Sequence, residues 1–144
     1  MVAAIVIALD QWSKEWVVAH FFPGQSVAVI PNLLRWTYEQ NTHGAFGYFG
    51  SNMMLLIAMA VLVLVIFWFS FKESAHKSLV VRIAFGMIVG GAIGNIVDRL
   101  HYKSVVDFID FFRIWPNIFN VADACITSGV ILLILSSLVT RRRV

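Results

Sequence analysis

Residues 52–71 read NMMLLIAMAVLVLVIFWFSF, twenty positions without a single charge. A helix of about 20 mostly apolar residues spans the hydrocarbon core of a bilayer, so this stretch predicts a transmembrane helix. Two further stretches have the same character, Leu79 to about Val97 and Ile118 to Thr140. A fourth candidate, residues 1–22, is apolar but interrupted by Asp10, Lys14 and Glu15. It has few residues before Asp10, which implies either a tilted helix or a longer native start. With no basic n-region and no small-residue cleavage site, it reads as a retained helix.

Composition agrees with a membrane protein. The 144 residues are 60% hydrophobic and only 13% charged, with a mean hydropathy of +0.82; soluble domains carry about 25% charged residues. No linker or low-complexity tract divides the chain, so residues 1–144 are expected to form one domain. The net charge of +3 does not point to nucleic acid, because the basic residues gather at ends and turns rather than along a stripe. The single cysteine, Cys125, excludes an internal disulfide and a CxxC metal site.

Between the first two helices, Ser26 to Tyr38 mixes β-branched and aromatic residues around a Pro31-Asn32 break. This predicts short strands and a small sheet at the membrane surface. Lys72, Lys77 and Arg82 between the second and third helices, and Arg141, Arg142 and Arg143 at the end, place those segments in the cytoplasm by the positive-inside rule. Both termini are then cytoplasmic. The outer loops hold Arg35, Arg99, Lys103 and Arg113, each near an acidic residue. In the third helix Gly86, Gly90 and Gly94, with Gly91 beside them, form a small-residue seam suited to close helix packing.

Ionisable residues in such segments cost about 2.5–3.5 kcal/mol each on insertion scales and call for a partner or a function. Asp10 and Lys14 are one turn apart and can pair, which makes them structural or, alternatively, part of the chemistry. Asp98 and Arg99 form either a helix-end ion pair or, with Asn95 one turn earlier, a polar face on which Asn95 and Arg99 donate to a peptide backbone. Asp107 and Asp123 are read apart from these, as carboxylates without a neutralising partner: Asp123 has no basic residue within one helical turn, and Asp107 has only Lys103, across the end of the third helix. Placed together at the outer ends of adjacent helices, they would share one proton. One could then deprotonate a water while the other donates to a scissile carbonyl. Asn120 lies one turn before Asp123, and Asp110 is read as facing the interface. No HExxH or GxSxG motif is present, and His20, His43, His76 and His101 are scattered. Cys125 reads as a small buried hydrophobe.

Four clusters, in order, resemble those of the bacterial lipoprotein signal peptidases, the signal peptidase II family. They are Asp10-Gln11-Trp12-Ser13-Lys14; Asn41-Thr42-His43-Gly44-Ala45-Phe46-Gly47; Gly94-Asn95-Ile96-Val97-Asp98-Arg99 continuing to Val105-Val106-Asp107-Phe108; and Phe119-Asn120-Val121-Ala122-Asp123. The resemblance implies an all-α membrane fold of four transmembrane helices, with a small extracytoplasmic β-sheet cradle and a short outer helix. It implies an aspartyl endopeptidase of the bacterial inner membrane that cuts diacylglyceryl-modified prolipoproteins just before the lipidated cysteine. Asp107 and Asp123 match its catalytic pair, Asn41, Asn95 and Arg99 match positions that contact or orient substrate, and Asn120 supports the pair. Asp10 and Lys14 match a pair that shapes the site, and Asp98 is grouped with them as structural support.

The implied partners are the prolipoprotein, membrane lipid and cyclic peptide inhibitors such as globomycin. A monomer without cofactor or metal is expected. The chain departs from the family pattern at His43 and Lys103, where glycine is common, so a positive backbone angle there would fall on a residue with a side chain. The alternative from another class is a small proton-coupled transporter, since such proteins also use intramembrane carboxylates. Inverted repeats and broken helices would mark one, and no internal repeat is visible. A purely structural assembly factor is a third possibility, in which both aspartates would be dispensable.

Overall fold

The structure is a computed structural model that describes residues 1–43 and 52–141, without the side chains of 74–77, 140 and 141. Gly44, Ala45, Phe46 and Gly47 of the second cluster, and Arg142 and Arg143, lie outside the described residues. The elements run α1 (Val2–His20), β1 (Ser26–Ile30), β2 (Leu34–Asn41), α2 (Met53–Lys77), α3 (Leu79–Tyr102), β3 (Val105–Asp110), β4 (Ile118–Phe119) and α4 (Val121–Arg141). Among the described residues three helices contain stretches long and apolar enough to cross a membrane: Met53–Glu73, Leu79–Tyr102 and Val121–Val139. The charges of α1 set it apart from these three.

The core sits around α3, which packs against α1, α2 and α4. Val81, Ala84 and Ile88 of α3 bury against Leu133 of α4, while Leu62, Ile66, Trp68 and Phe69 of α2 stay exposed. Lipid is the natural solvent for that apolar exterior.

The glycine seam of α3 serves two neighbours. A Cβ at Gly90 would meet the Ala3 carbonyl oxygen of α1 at 2.7 Å, and one at Gly91 would meet the Ala122 carbonyl oxygen of α4 at 2.5 Å. Only glycine lets both backbones come this close.

The sheet is antiparallel throughout, in the order β1-β2-β3-β4. The predicted strands of Ser26 to Tyr38 are present as β1 and β2, and the Pro-Asn break is their turn, with Asn32 in the left-handed region at φ 60°. Beneath the sheet, Tyr38, Val106 and Phe108 close a second apolar cluster with Val17 of α1.

Two expectations need correction. The third helix continues past Val97 to Tyr102, because Asp98 turns inward and finds partners instead of ending the helix at the interface. The fourth helix starts at Val121, not Ile118, because Ile118 and Phe119 pair with Asp110 and Ile109 as β4. The described residues hold no short outer helix, and 44–51, in the outer connection between β2 and α2, lie outside them. Lys103 caps α3 with φ 62°, so the left-handed angle that suits glycine is kept here by a lysine.

Gly90→Ala tests the seam. Alanine gains about 1 kcal/mol of helix propensity over glycine, but its methyl would press on backbone atoms that cannot rotate away, and overpacking costs about 1–3 kcal/mol. The expected outcome is a lower thermal unfolding midpoint in detergent.

Candidate active site

A buried charge cluster organises the polar interior. Lys14 Nζ lies 2.8 Å from Asp10 Oδ2 and 3.0 Å from Asp98 Oδ2, and all three side chains are almost completely buried. Two carboxylates against one ammonium leave excess negative charge, which further donors offset. The Ala122 backbone N–H at the start of α4 donates to Asp10 Oδ1 at 2.8 Å, and the Val106 N–H of β3 donates to Asp98 Oδ2 at 3.1 Å. Gln11 Nε2 donates to Asp98 Oδ1 at 2.8 Å and to the Gly94 carbonyl at 3.2 Å. A Cβ at position 94 would strike the Asp10 carboxylate. Asp98 therefore pairs with Lys14 and not with Arg99, a correction to the helix-end reading; α1, α3, β3 and α4 all meet at this cluster.

Lys14 also donates to Asn95 Oδ1 at 2.9 Å, and Asn95 leads to the second group. Its Nδ2 donates to Asp123 Oδ1 at 2.8 Å. Asn120 stands just before α4, where its Oδ1 caps the helix by accepting the Asp123 N–H at 2.9 Å. Asn120 Nδ2 donates to Asp107 Oδ1 at 2.6 Å and to Asn95 Oδ1 at 3.1 Å. Asn41 Nδ2 of β2 donates to Asp107 Oδ2 at 2.9 Å, while its Oδ1 accepts the His43 N–H at 3.1 Å. Asp107 thus lies on a strand and Asp123 in the first turn of a helix, where the helix dipole favours a negative charge.

Burial, followed by the nearby charge of Asp123, pushes the Asp107 carboxyl up to about 7, against the lowering pull of the Asn41 and Asn120 hydrogen bonds. At neutral pH this group is poised between acid and base.

Asp107 and Asp123 line one cavity of about 590 Å³, together with Asn41, Asn95 and Arg99. Its lower wall is apolar, built by residues such as Leu56 and Val63 of α2 and Ile88 of α3. Arg99 Nη1 donates to the Asn95 carbonyl at 3.3 Å, and Arg99 forms no ion pair among the described residues. Asp110 is apart from this group and accepts from Thr37 Oγ1 at 2.9 Å within the sheet. Cys125 is half-buried on α4. Among the described residues no group of His, Cys, Asp and Glu could hold a metal ion. Gln11, although inside the first quoted cluster, carried no spacing signal for its place in the ion network, because adjacent residues on a helix do not share a face.

The sequence pattern described as signal peptidase (SPase) II matches residues 2–139. The chain belongs to the signal peptidase II family. It is 37% identical over 133 residues to the lipoprotein signal peptidase of Moorella thermoacetica, covering 92% of this chain and 87% of that one. With the lipoprotein signal peptidase of Fusobacterium nucleatum it shares 39% identity over 140 residues, covering 96% and 85% of the two chains. A bacterial membrane enzyme solved by the in meso method at 2.3 Å resolution superposes with a TM-score of 0.86 at 33% identity, covering 95% of this chain and 85% of that one. Another, at 1.9 Å, gives 0.83 at 33% identity, covering 95% and 90%. Signal peptidase II membership makes the chain a peptidase, and none of these relatives supports the transporter alternative.

Lys14→Met tests the charge cluster. Removing one member of a buried ion pair leaves uncompensated charge and costs about 3–5 kcal/mol. The variant is expected to unfold at a clearly lower temperature in detergent than the parent protein.

Proposed function

We propose that the chain removes the signal peptide from diacylglyceryl-modified prolipoproteins, cutting just before the lipidated cysteine, with Asp107 and Asp123 as its catalytic carboxylates. The observation that carries this reading is the pairing itself. Two largely buried aspartates from different elements open into one cavity, each held by asparagine amides and neither in an ion pair among the described residues. Family membership supplies the substrate class.

In this mechanism Asp107 carries the shared proton at neutral pH, in keeping with its raised carboxyl, and Asp123 is ionised. Asp123 takes a proton from a water as its oxygen attacks the scissile carbonyl carbon, while Asp107 donates its proton to the carbonyl oxygen. A neutral gem-diol forms. The proton then held by Asp123 passes to the amide nitrogen, Asp107 recovers a proton from the diol, and the carbon–nitrogen bond breaks. A carboxylic acid and an amine leave, and the dyad is restored. Asn41, Asn95 and Asn120 orient the carboxylates, and Arg99 offers N–H groups to substrate carbonyls. Asp10, Lys14 and Asp98 hold the frame.

The signal peptide and lipid chains lie against the apolar lower wall of the cavity, with the scissile bond at the outer interface. On the same reading α1 also crosses the inner membrane, which makes four spans with both termini cytoplasmic. The protein acts as a monomer and takes cyclic peptide inhibitors such as globomycin into the cavity.

Asp107→Asn and Asp123→Asn are each expected to lower kcat by about 10²–10⁴-fold on a lipidated prolipoprotein in micelles, read by the mass of the released fragment. Wild-type rates from folded, inserted variants would sink the proposal. Asp107 is protonated below about 7 and loses its proton above, so kcat/KM should fall on the alkaline side with an apparent pKa near 7 that belongs to the pair. Asn41→Ala removes a hydrogen bond that favours the ionised form, so this limb should move to higher pH.

A further inference from the structure

Residues 39, 41 and 43 run along one side of the chain at the end of β2. Alternation along a strand puts i and i+2 on the same face, and Glu39, Asn41 and His43 all line the cavity. Tyr38 and Gln40 take the other face, where Gln40 Nε2 donates to the Tyr38 hydroxyl at 3.0 Å. The register between β2 and β3 shifts between Trp36 and Glu39, and Glu39 stands directly opposite Asp107. Such irregularities re-aim side chains near active sites.

Asn41 is committed to Asp107 and His43 to its neighbours Thr42 and Asn41. Glu39 is exposed and has no ion pair among the described residues. A carboxylate thus stands at the polar rim of the cavity, across the strand pair from Asp107. The apolar wall lies at the other end, between α2 and α3.

We propose that Glu39 is a specificity-determining residue that favours a cationic side chain immediately after the lipidated cysteine. The inference rests on the proposed function above. With the signal peptide and lipid chains on the apolar wall, the segment that leaves the cavity past the sheet is the mature one. The strand pair that carries Asp107 also carries Glu39, so the residue next to the cut passes close to this carboxylate. Attraction for lysine and repulsion of aspartate act together, through water and at a partly open rim, so the effect is modest and sensitive to salt.

The test uses the full-length protein in micelles and three lipidated prolipoprotein peptides that differ only after the cysteine, with Lys, Asp or Ser there. For the parent protein the ratio of kcat/KM for the Lys peptide over the Asp peptide is expected to be about fivefold at low ionic strength and to shrink in high salt. Glu39→Gln should bring the ratio close to one, and Glu39→Lys should invert it. An unchanged ratio in Glu39→Lys overturns the assignment while leaving the peptidase reading intact. No cleavage of the Ser peptide by the parent protein overturns both.

Discussion

Lys14 is a cation with almost no exposed surface, and it is held between two carboxylates that are as deeply buried. An ammonium in that position is tolerable only if its partners stay within contact distance, and the same holds for each aspartate. Asp10 and Lys14 belong to α1 and Asp98 to α3, while further donors come from the backbone of α4 and β3 and from the Gln11 amide. Sliding any one of these elements would orphan a buried charge. The cluster therefore sets the register of the whole assembly, and the glycines of α3 follow from it, since the helices must approach closely for so short a set of contacts to form.

The cluster reaches the cavity through asparagine. Asn95 faces Lys14 with its oxygen and Asp123 with its nitrogen, and Asn120 faces the α4 backbone with its oxygen and Asp107 with its nitrogen. An amide offers an acceptor at one end and donors at the other, so it can join a cation or N–H on one side to a carboxylate on the other. Neither a carboxylate nor an ammonium could occupy these positions without repelling one neighbour. Asp107 and Asp123 are thereby fixed in direction without being neutralised, which leaves the pair free to hold a proton.

The membrane character, the three apolar helices and the β1–β2 hairpin were legible because each rests on local composition: long uncharged runs, and a β-branched stretch broken at Pro31-Asn32. The pairing of Asp10 with Lys14 was legible because helical spacing announces it. Lys14 as the partner of Asp98 was not, since those residues are far apart in sequence and only the α1–α3 crossing joins them. Residues 105–110 were assigned no element, although Val-Val-Asp-Phe-Ile-Asp carries a strand-like composition; its two aspartates drew the reading to chemistry instead. Asn120 was read on the helix because its spacing from Asp123 fits one turn, and the same spacing fits a cap. Lys103 kept an angle better suited to glycine, an outcome that neighbouring structure decides and composition does not.

Two charge systems lie side by side in this interior, and Asn95 stands between them. Carboxylates, ammoniums and waters can hand a proton onward, but an amide neither takes one up nor gives one away in the pH range where proteins function. Asn95 therefore conducts electrostatic influence from Lys14 to Asp123 while blocking traffic in protons. The acid–base inventory of the cavity is insulated from the structural charges beneath it. Lys14 and its two carboxylates are thus joined to Asp123 by hydrogen bonds of Asn95 that carry no exchangeable acid or base.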